Sequence, residues 1–481
     1  MSQPAVQITE LDGALGVLPP SAGKLYAVVG ASSGGPVNQP ATYARVKDLI
    51  ATFGVGPLVE AAAHYIERYG RPVLVVRTAT TTDGAASAVA ETGTGTSVVT
   101  LTGTPADDAE LLWQALTGGT IGVAGITFRW SLDGGRTWSP TTALGTANTF
   151  PVPGAGVSLA FAAGTVVAGD TASATTTAPA PNATDLGAAF DALAASAASW
   201  DLVHVATPID GALFDALELR LATLFSAGKE RAWIGSARIP TPGETEAAYL
   251  TALTAAFGAR ASVFGMLCAG ACKLTSSVTG RKVRRPASFP IAAREASLAE
   301  HINSADINLG PLVGVSIRDA NGNPDEHDES VNPGLDDARF TVLRTWEGVA
   351  GVYVNRPRLF SPAGSDFQLL PHRRVLNLAH GALRLYFQRR LNRPVRVSRT
   401  TGFILEDEAV EIEAGARAVL RSVLLAAPKA SDVLFTLSRT DNLLSTRTLT
   451  GDARVIPLGY PEWVNLAVGF YNPALALLQA A

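Results

Sequence analysis

Apolar positions along the chain switch between continuous runs, helical spacing and strict alternation. Residues 24–29, KLYAVV, form a short apolar run that predicts a strand, and 43–53 and 57–69 have the spacing of helices. Arg71 to Ala79, RPVLVVRTA, is a β-branched run of the kind buried on both faces of a sheet. Strand, helix and strand in this order predict a β-α-β opening. From 183 the alternation resumes: ATDLGAAFDALAAS is a helix with Thr184 or Asp185 expected as its N-cap, and WDLVHVAT is a strand. Leu213, Leu217, Leu221 and Leu224 mark one face of a further helix stopped at Gly228. RAWIGSAR and ASVFGMLCAG follow as strands around a helix at 243–258. After 340 come a strand at GVYVNRPRLF, a helix from about Leu370 to Leu391, and a helix beginning near Glu406.

Two regions break this rhythm. Between about 81 and 181 Thr, Gly, Ala and Ser dominate, charge nearly vanishes, and short β-type runs alternate with Gly/Pro turns, which predicts a small all-β module. The two ends carry strand alternation without an obvious local partner. Val6 and Ile8 alternate with Gln7 and Thr9 ahead of Pro19-Pro20; Val464, Leu466, Val468 and Phe470 alternate with Trp463, Asn465, Ala467 and Gly469 between Pro461 and Pro473. The expected fold class is therefore α/β: a mixed core with an open sheet, an inserted all-β module, and N- and C-terminal strand-forming arms. Expected boundaries are 1–21 for the N-terminal arm, 22–85 with 181–452 for the core, 86–180 for the insertion, and 453–481 for the C-terminal arm.

Composition narrows the function classes. The 481 residues are 47% hydrophobic, yet no apolar run approaches the roughly 18–20 residues that span a bilayer. Residues 1–21 lack the basic and apolar regions of a secretory signal, so a soluble chain not exported by the general route is expected. A net charge of −4 argues against a dedicated nucleic-acid binder. Cys268 and Cys272, without companion ligands, suggest two buried thiols and no metal site.

Candidate chemistry is thin. Gly30-Ala31-Ser32-Ser33-Gly34 fits the Gly-x-Ser-x-Gly pattern of a hydrolase nucleophile elbow, which needs a helix immediately after the turn. Two glycines and two prolines between Gly34 and Pro40 oppose that helix, so the segment reads as a structural turn. No P-loop or Gly-x-Gly-x-x-Gly fingerprint follows, and no cofactor is expected. SLDGGRTW, Ser131 to Trp138, is a single Asp-box, which marks a β-hairpin in the module. Asp325, Glu326, His327, Asp328 and Glu329 lack EF-hand spacing and read as a solvated acidic loop. No catalytic constellation emerges.

The order of segments carries a resemblance. YAVVGASSGGPVNQPATYARVKDLIATFG, then LVEAAAHYIERYGRPVLVVRTA, resembles the opening of contractile tail sheath proteins of phages and related injection systems. GVYVNRPRLFSPAGSDFQLLPHRRVLNLAHGALRLYF, TTGFILEDEAVEIEAGARAVLRSVL and the closing RVIPLGYPEWVNLAVGFYNP are similar to that family's distal half. The likeness covers roughly 22–80 and 340–475; the module resembles an insertion found in some sheath-like proteins. It implies a non-enzymatic subunit that stacks in six-membered rings around an inner tube. Arm residues Val6, Ile8, Val464, Leu466, Val468 and Phe470 would add strands to neighbouring copies. Implied partners are the chain itself, the inner tube protein, and baseplate and tail terminator proteins, with no nucleic acid and no membrane insertion. The tube-facing surface falls on either the basic helix (Arg373, Arg374, Arg384, Arg389) or the acidic one (Glu406, Glu408, Glu411). A virion tail or tail-like particle, assembled in the bacterial cytoplasm, is the expected location. A different tail structural protein, such as a tube or baseplate component, and an α/β hydrolase using Ser32 are the alternatives.

Overall fold

Six strands form the central sheet, in the order Gly265–Cys268, Ala232–Ser236, Trp200–Pro208, Leu25–Gly30, Val73–Arg77 and Ala41–Tyr43. Neighbours are parallel except the last, which runs antiparallel to Val73–Arg77. The computed structural model describes residues 24–241, 243–319 and 322–470. The N-terminal arm positions Val6 and Ile8 lie outside them. Contacts divide the chain into two units, Met1–Pro394 and Val395–Ala481.

Successive side chains of a strand point to opposite faces, and the apolar runs of the sequence are divided accordingly. Tyr26, Val28, Val73 and Val75 pack on one face with residues of the helices Pro57–Tyr69 and Ser288–Ser297. Ala27, Val29, Leu74 and Val76 pack on the other with the helices Ala183–Ala195, Gly211–Ser226 and Glu246–Phe257. The mixed α/β fold with an open sheet follows from this two-sided burial. Cys268 and Cys272 are buried free thiols. The helix Ala183–Ala195 starts two residues earlier than a Thr184 cap would place it. Asn182 is the N-cap, accepting from the amides of Thr184 and Asp185, while Asp185 returns a bond to the Asn182 amide.

After Leu25–Gly30 the chain turns through Ser32 into the short edge strand Ala41–Tyr43, not into a helix. The Ser32 hydroxyl donates to the Gly34 carbonyl oxygen at 3.0 Å. Gly35 adopts φ +88°, and a Cβ there would meet the Phe53 ring at 2.4 Å, so the turn is built around that aromatic ring.

An all-β module of eleven strands lies between Ala85 and Thr177. It has its own core, with Trp113, Phe128, Leu159 and Phe161 among the buried residues. Its Asp-box hairpin is held by Asp133, which accepts from the Ser131 hydroxyl (2.6 Å) and from the Thr137 amide and hydroxyl (2.8 and 2.6 Å). The Arg129 guanidinium lies 4.1 Å over the Trp138 ring.

The acidic segment 325–329 contradicts its sequence expectation. Its middle is a buried strap, with Asp328 fully buried and His327 at 3% exposure, while Asp325 is exposed and Glu329 half-buried. Asp325, Glu326, His327 and Asp328 each meet a partner from another segment, and Glu329 meets His327. Asp325 pairs with Lys273, Glu326 with Arg284 (2.6 Å), and Asp328 accepts from the Thr345 amide and hydroxyl (3.0 and 2.6 Å). His327 lies between Glu246 (2.8 Å) and Glu329 (2.9 Å). Burial alone would lower its pKa; the two carboxylate hydrogen bonds outweigh it and raise the pKa to about 9.

A folded-state value raised from 6.5 to about 9 contributes stability that is full below pH 6.5 and lost as pH rises through about 9. The urea midpoint of the wild type should therefore fall between pH 6.5 and 9, and His327→Gln should flatten that slope. Equal slopes in the two proteins would refute the charged clamp.

Candidate assembly surfaces

In the second unit the helix Glu406–Leu424 packs on the hairpin Asp432–Leu437 and Gly451–Ile456. Val433, Phe435 and Leu437 alternate inward, facing a helix whose Ile412, Ala416, Leu420 and Leu424 are buried. Glu413 locks the two together. It accepts from the Leu437 amide (2.7 Å), Arg439 (2.7 Å) and Arg417 (2.8 Å), and Arg439 first among these holds its carboxyl below the usual range. Among the described residues the hairpin is a two-stranded sheet, so each strand keeps one edge without a ladder. Leu434 and Ile456 are about half exposed on it.

Residues 457–470 carry no regular structure. Trp463, Val464, Leu466, Val468 and Phe470 are all highly exposed, from 69% at Val464 upward. A strand exists only as half of a hydrogen-bonded pair, so the alternating pattern produces no strand within one chain. Burying such side chains is worth roughly 1.5–3 kcal/mol each, which a partner surface would supply.

The basic helix, Leu370–Gln388, needs correction as a tube-facing candidate. Arg373 and Arg374 are buried, at 3% and 7% exposure. The Arg373 guanidinium lies over the rings of Phe264 (4.6 Å), Phe225 (5.1 Å) and Phe367 (5.4 Å), and burial lowers its pKa to about 10. Arg374 donates to the carbonyl oxygens of Glu295 (2.9 Å) and Leu298 (3.3 Å). Both bind the helix to its own unit, because their stems lie on its apolar face. Arg384 is half-buried against Glu230, and Arg389 is exposed.

The acidic helix keeps an open stripe: Asp407, Glu411, Ala414, Ala418 and Arg421 are exposed at helical spacing. Glu406 is exposed and bonded to Arg439 (2.7 Å), and Glu408 is half-buried against Arg396 (2.6 Å). Of the sequence-derived candidates, then, Arg389, Glu406 and Glu411 are exposed, and the others are wholly or partly covered by their own unit. Sequence reasoning also missed Arg285, which is 1% exposed and pairs the core to Asp107 of the module. Its only signal was the basic run Arg281 to Arg285.

Known proteins add to this geometry. The family model described as DUF2586, N-terminal domain, matches residues 3–358. No curated protein matches the sequence. A chain of the anti-feeding prophage (AFP) baseplate, 6-fold symmetrised, is 11% identical with a TM-score of 0.51, covering 98% of this chain and all of that one. A chain of the PVC sheath complex, an extracellular contractile injection system in the contracted state, is 11% identical with a TM-score of 0.50 and 98% of both chains covered. The AFP baseplate in its contracted state gives 14%, 0.50 and the same coverage. At these identities the likeness is one of fold, and it is the fold that the sequence resemblance implied.

Two substitutions separate buried from open arginines. Arg373→Ala should cost about 1–3 kcal/mol in denaturant unfolding through lost ring contacts, whereas Arg389→Ala should stay within about 0.5 kcal/mol. Replacing Leu466, Val468 and Phe470 together by serine should likewise leave the unassembled chain's unfolding midpoint unchanged. A marked loss there would mean that these side chains pack on their own molecule.

Proposed function

We propose, from the premise that this chain belongs to the DUF2586 family and has the fold of contractile-sheath proteins, that it is a sheath subunit of a contractile tail-like particle. Copies polymerise as stacked, six-membered helical rings around an inner tube and shorten to drive the tube through a target envelope. The observation that carries this reading is the pairing of one exposed, alternating apolar segment with one open two-stranded hairpin in the same unit.

The hairpin Asp432–Leu437 and Gly451–Ile456 is the small sheet to which arms of neighbouring copies add strands: Val464 to Phe470 from one neighbour, Val6 and Ile8 from another. Such contacts are heterologous and do not close on themselves, so they generate a helical cylinder. Ladder bonds keep adjacent copies tethered while side-chain contacts between their larger units rearrange. The extended cylinder is a kinetically trapped state whose release needs no nucleotide.

The inner tube lies against the exposed acidic stripe of Glu406–Leu424, with Glu406 and Glu411 as contact residues. Exposed ion pairs are worth about 0–1 kcal/mol each, weak enough to be broken and remade during contraction. Baseplate and tail terminator proteins cap the cylinder ends. The particle is a phage tail or a related injection machine, assembled in the bacterial cytoplasm.

Negative-stain imaging tests the proposal. The full chain should form cylinders of ring-stacked subunits, whereas chains lacking 1–20 or 456–481 should remain folded, by circular dichroism, and unassembled. Removing 86–178 should spare assembly. Long cylinders from either arm truncation would overturn the arm mechanism.

A further inference from the structure

The β module meets the core at a seam that contains an imbalance of charge. Arg285, on the core strand Lys282–Pro286, is 1% exposed and places its two terminal nitrogens on Asp107 of the module, at 2.9 and 2.6 Å. Asp108, the next residue, lies 3.6 Å from the same guanidinium. Glu60, on the core helix Pro57–Tyr69, is 4% exposed beside them; its Oε2 accepts from the Ser276 hydroxyl at 3.0 Å. Among the described residues its Oε1 has no hydrogen-bond partner, and neither does the Arg285 Nε. All four residues line a cleft of about 360 Å³ between module and core.

One guanidinium thus faces three carboxylates. The other charged groups at the cleft do not restore the balance. Arg281 lies over the Trp130 ring at 4.9 Å, and the Asp133 carboxylate is saturated within its own hairpin. Glu60 is the carboxylate taken out of water, while the Asp108 side chain stays 35% exposed; a buried carboxylate without full compensation is relieved most cheaply by a proton.

We propose that the module is docked on the core through a charge-sharing joint at Arg285, in which one proton is retained between Glu60 and Asp108 and released when the module separates. Glu60 and Asp108 both titrate above the ordinary carboxylate range. Burial is the main cause in each; Arg285 pulls both down and Asp107 pushes both up. A docked form that binds one more proton is favoured as pH falls towards the carboxylate range. It weakens up to tenfold per pH unit as pH rises to the raised values, and then levels off. An ordinary salt bridge would show no change across the same window. The chain crosses between core and module where Thr82 and Ala180 bridge, so the two connections form a single hinge.

Hydrogen exchange on the full chain, corrected for intrinsic rates, tests this between pH 5 and 8. In the wild type, protection of seam amides in 106–108 and 277–281 should fall as pH rises, while the core strands Leu25–Gly30 and Trp200–Pro208 stay protected. Glu60→Gln removes one acid and should flatten the dependence. Arg285→Met removes the cation paired with these carboxylates and should steepen it or leave the seam open throughout, with the core strands intact. Constant wild-type seam protection from pH 5 to 8, or a slope unchanged in Glu60→Gln, would overturn the proposal.

Discussion

A strand cannot satisfy its backbone alone, and this constraint organises the molecule. In the central sheet every strand finds its partner within the chain, and the edges are short or covered. Ala41–Tyr43 closes one side with only three residues, while amides of Thr341 and Phe360 bond to carbonyl oxygens of Gly265–Cys268 on the other. The second unit is the opposite case. Among the described residues its hairpin has two open edges, and the apolar segment after it has alternation without a ladder. On the proposed reading, those open edges are where other copies would finish the sheet.

Within Met1–Pro394 the remaining forces serve rigidity. The strap through Asp325 and Asp328, the guanidinium of Arg373 among three aromatic rings, and the Arg374 bonds to carbonyl oxygens all tie distant segments together. The seam at Arg285 is the place where this bracing carries an unbalanced charge.

The α/β alternation was legible in the sequence because strands buried on both faces are written as continuous apolar runs, as in Val73–Arg77. The turn at Ser32 was legible too, since its glycines and prolines forbid the helix that an elbow needs. The arginines were not. Arg373 meets Phe225 and Phe264, more than a hundred residues away in the chain, so no local pattern separates it from exposed Arg389. The acidic strap failed for the same reason, as its partners Lys273, Arg284 and Glu246 come from other elements. Periodicity reports which face is apolar; it does not report which charges are paired across the fold.

The central claim is that Val464 to Phe470 becomes a strand only in the company of another copy. Hydrogen exchange of the amides at 464–470, compared between unassembled chains and assembled cylinders, addresses it directly. The account predicts rapid exchange in the free chain and protection, on alternate amides or throughout, in the cylinder. Equally rapid exchange in both states would contradict it.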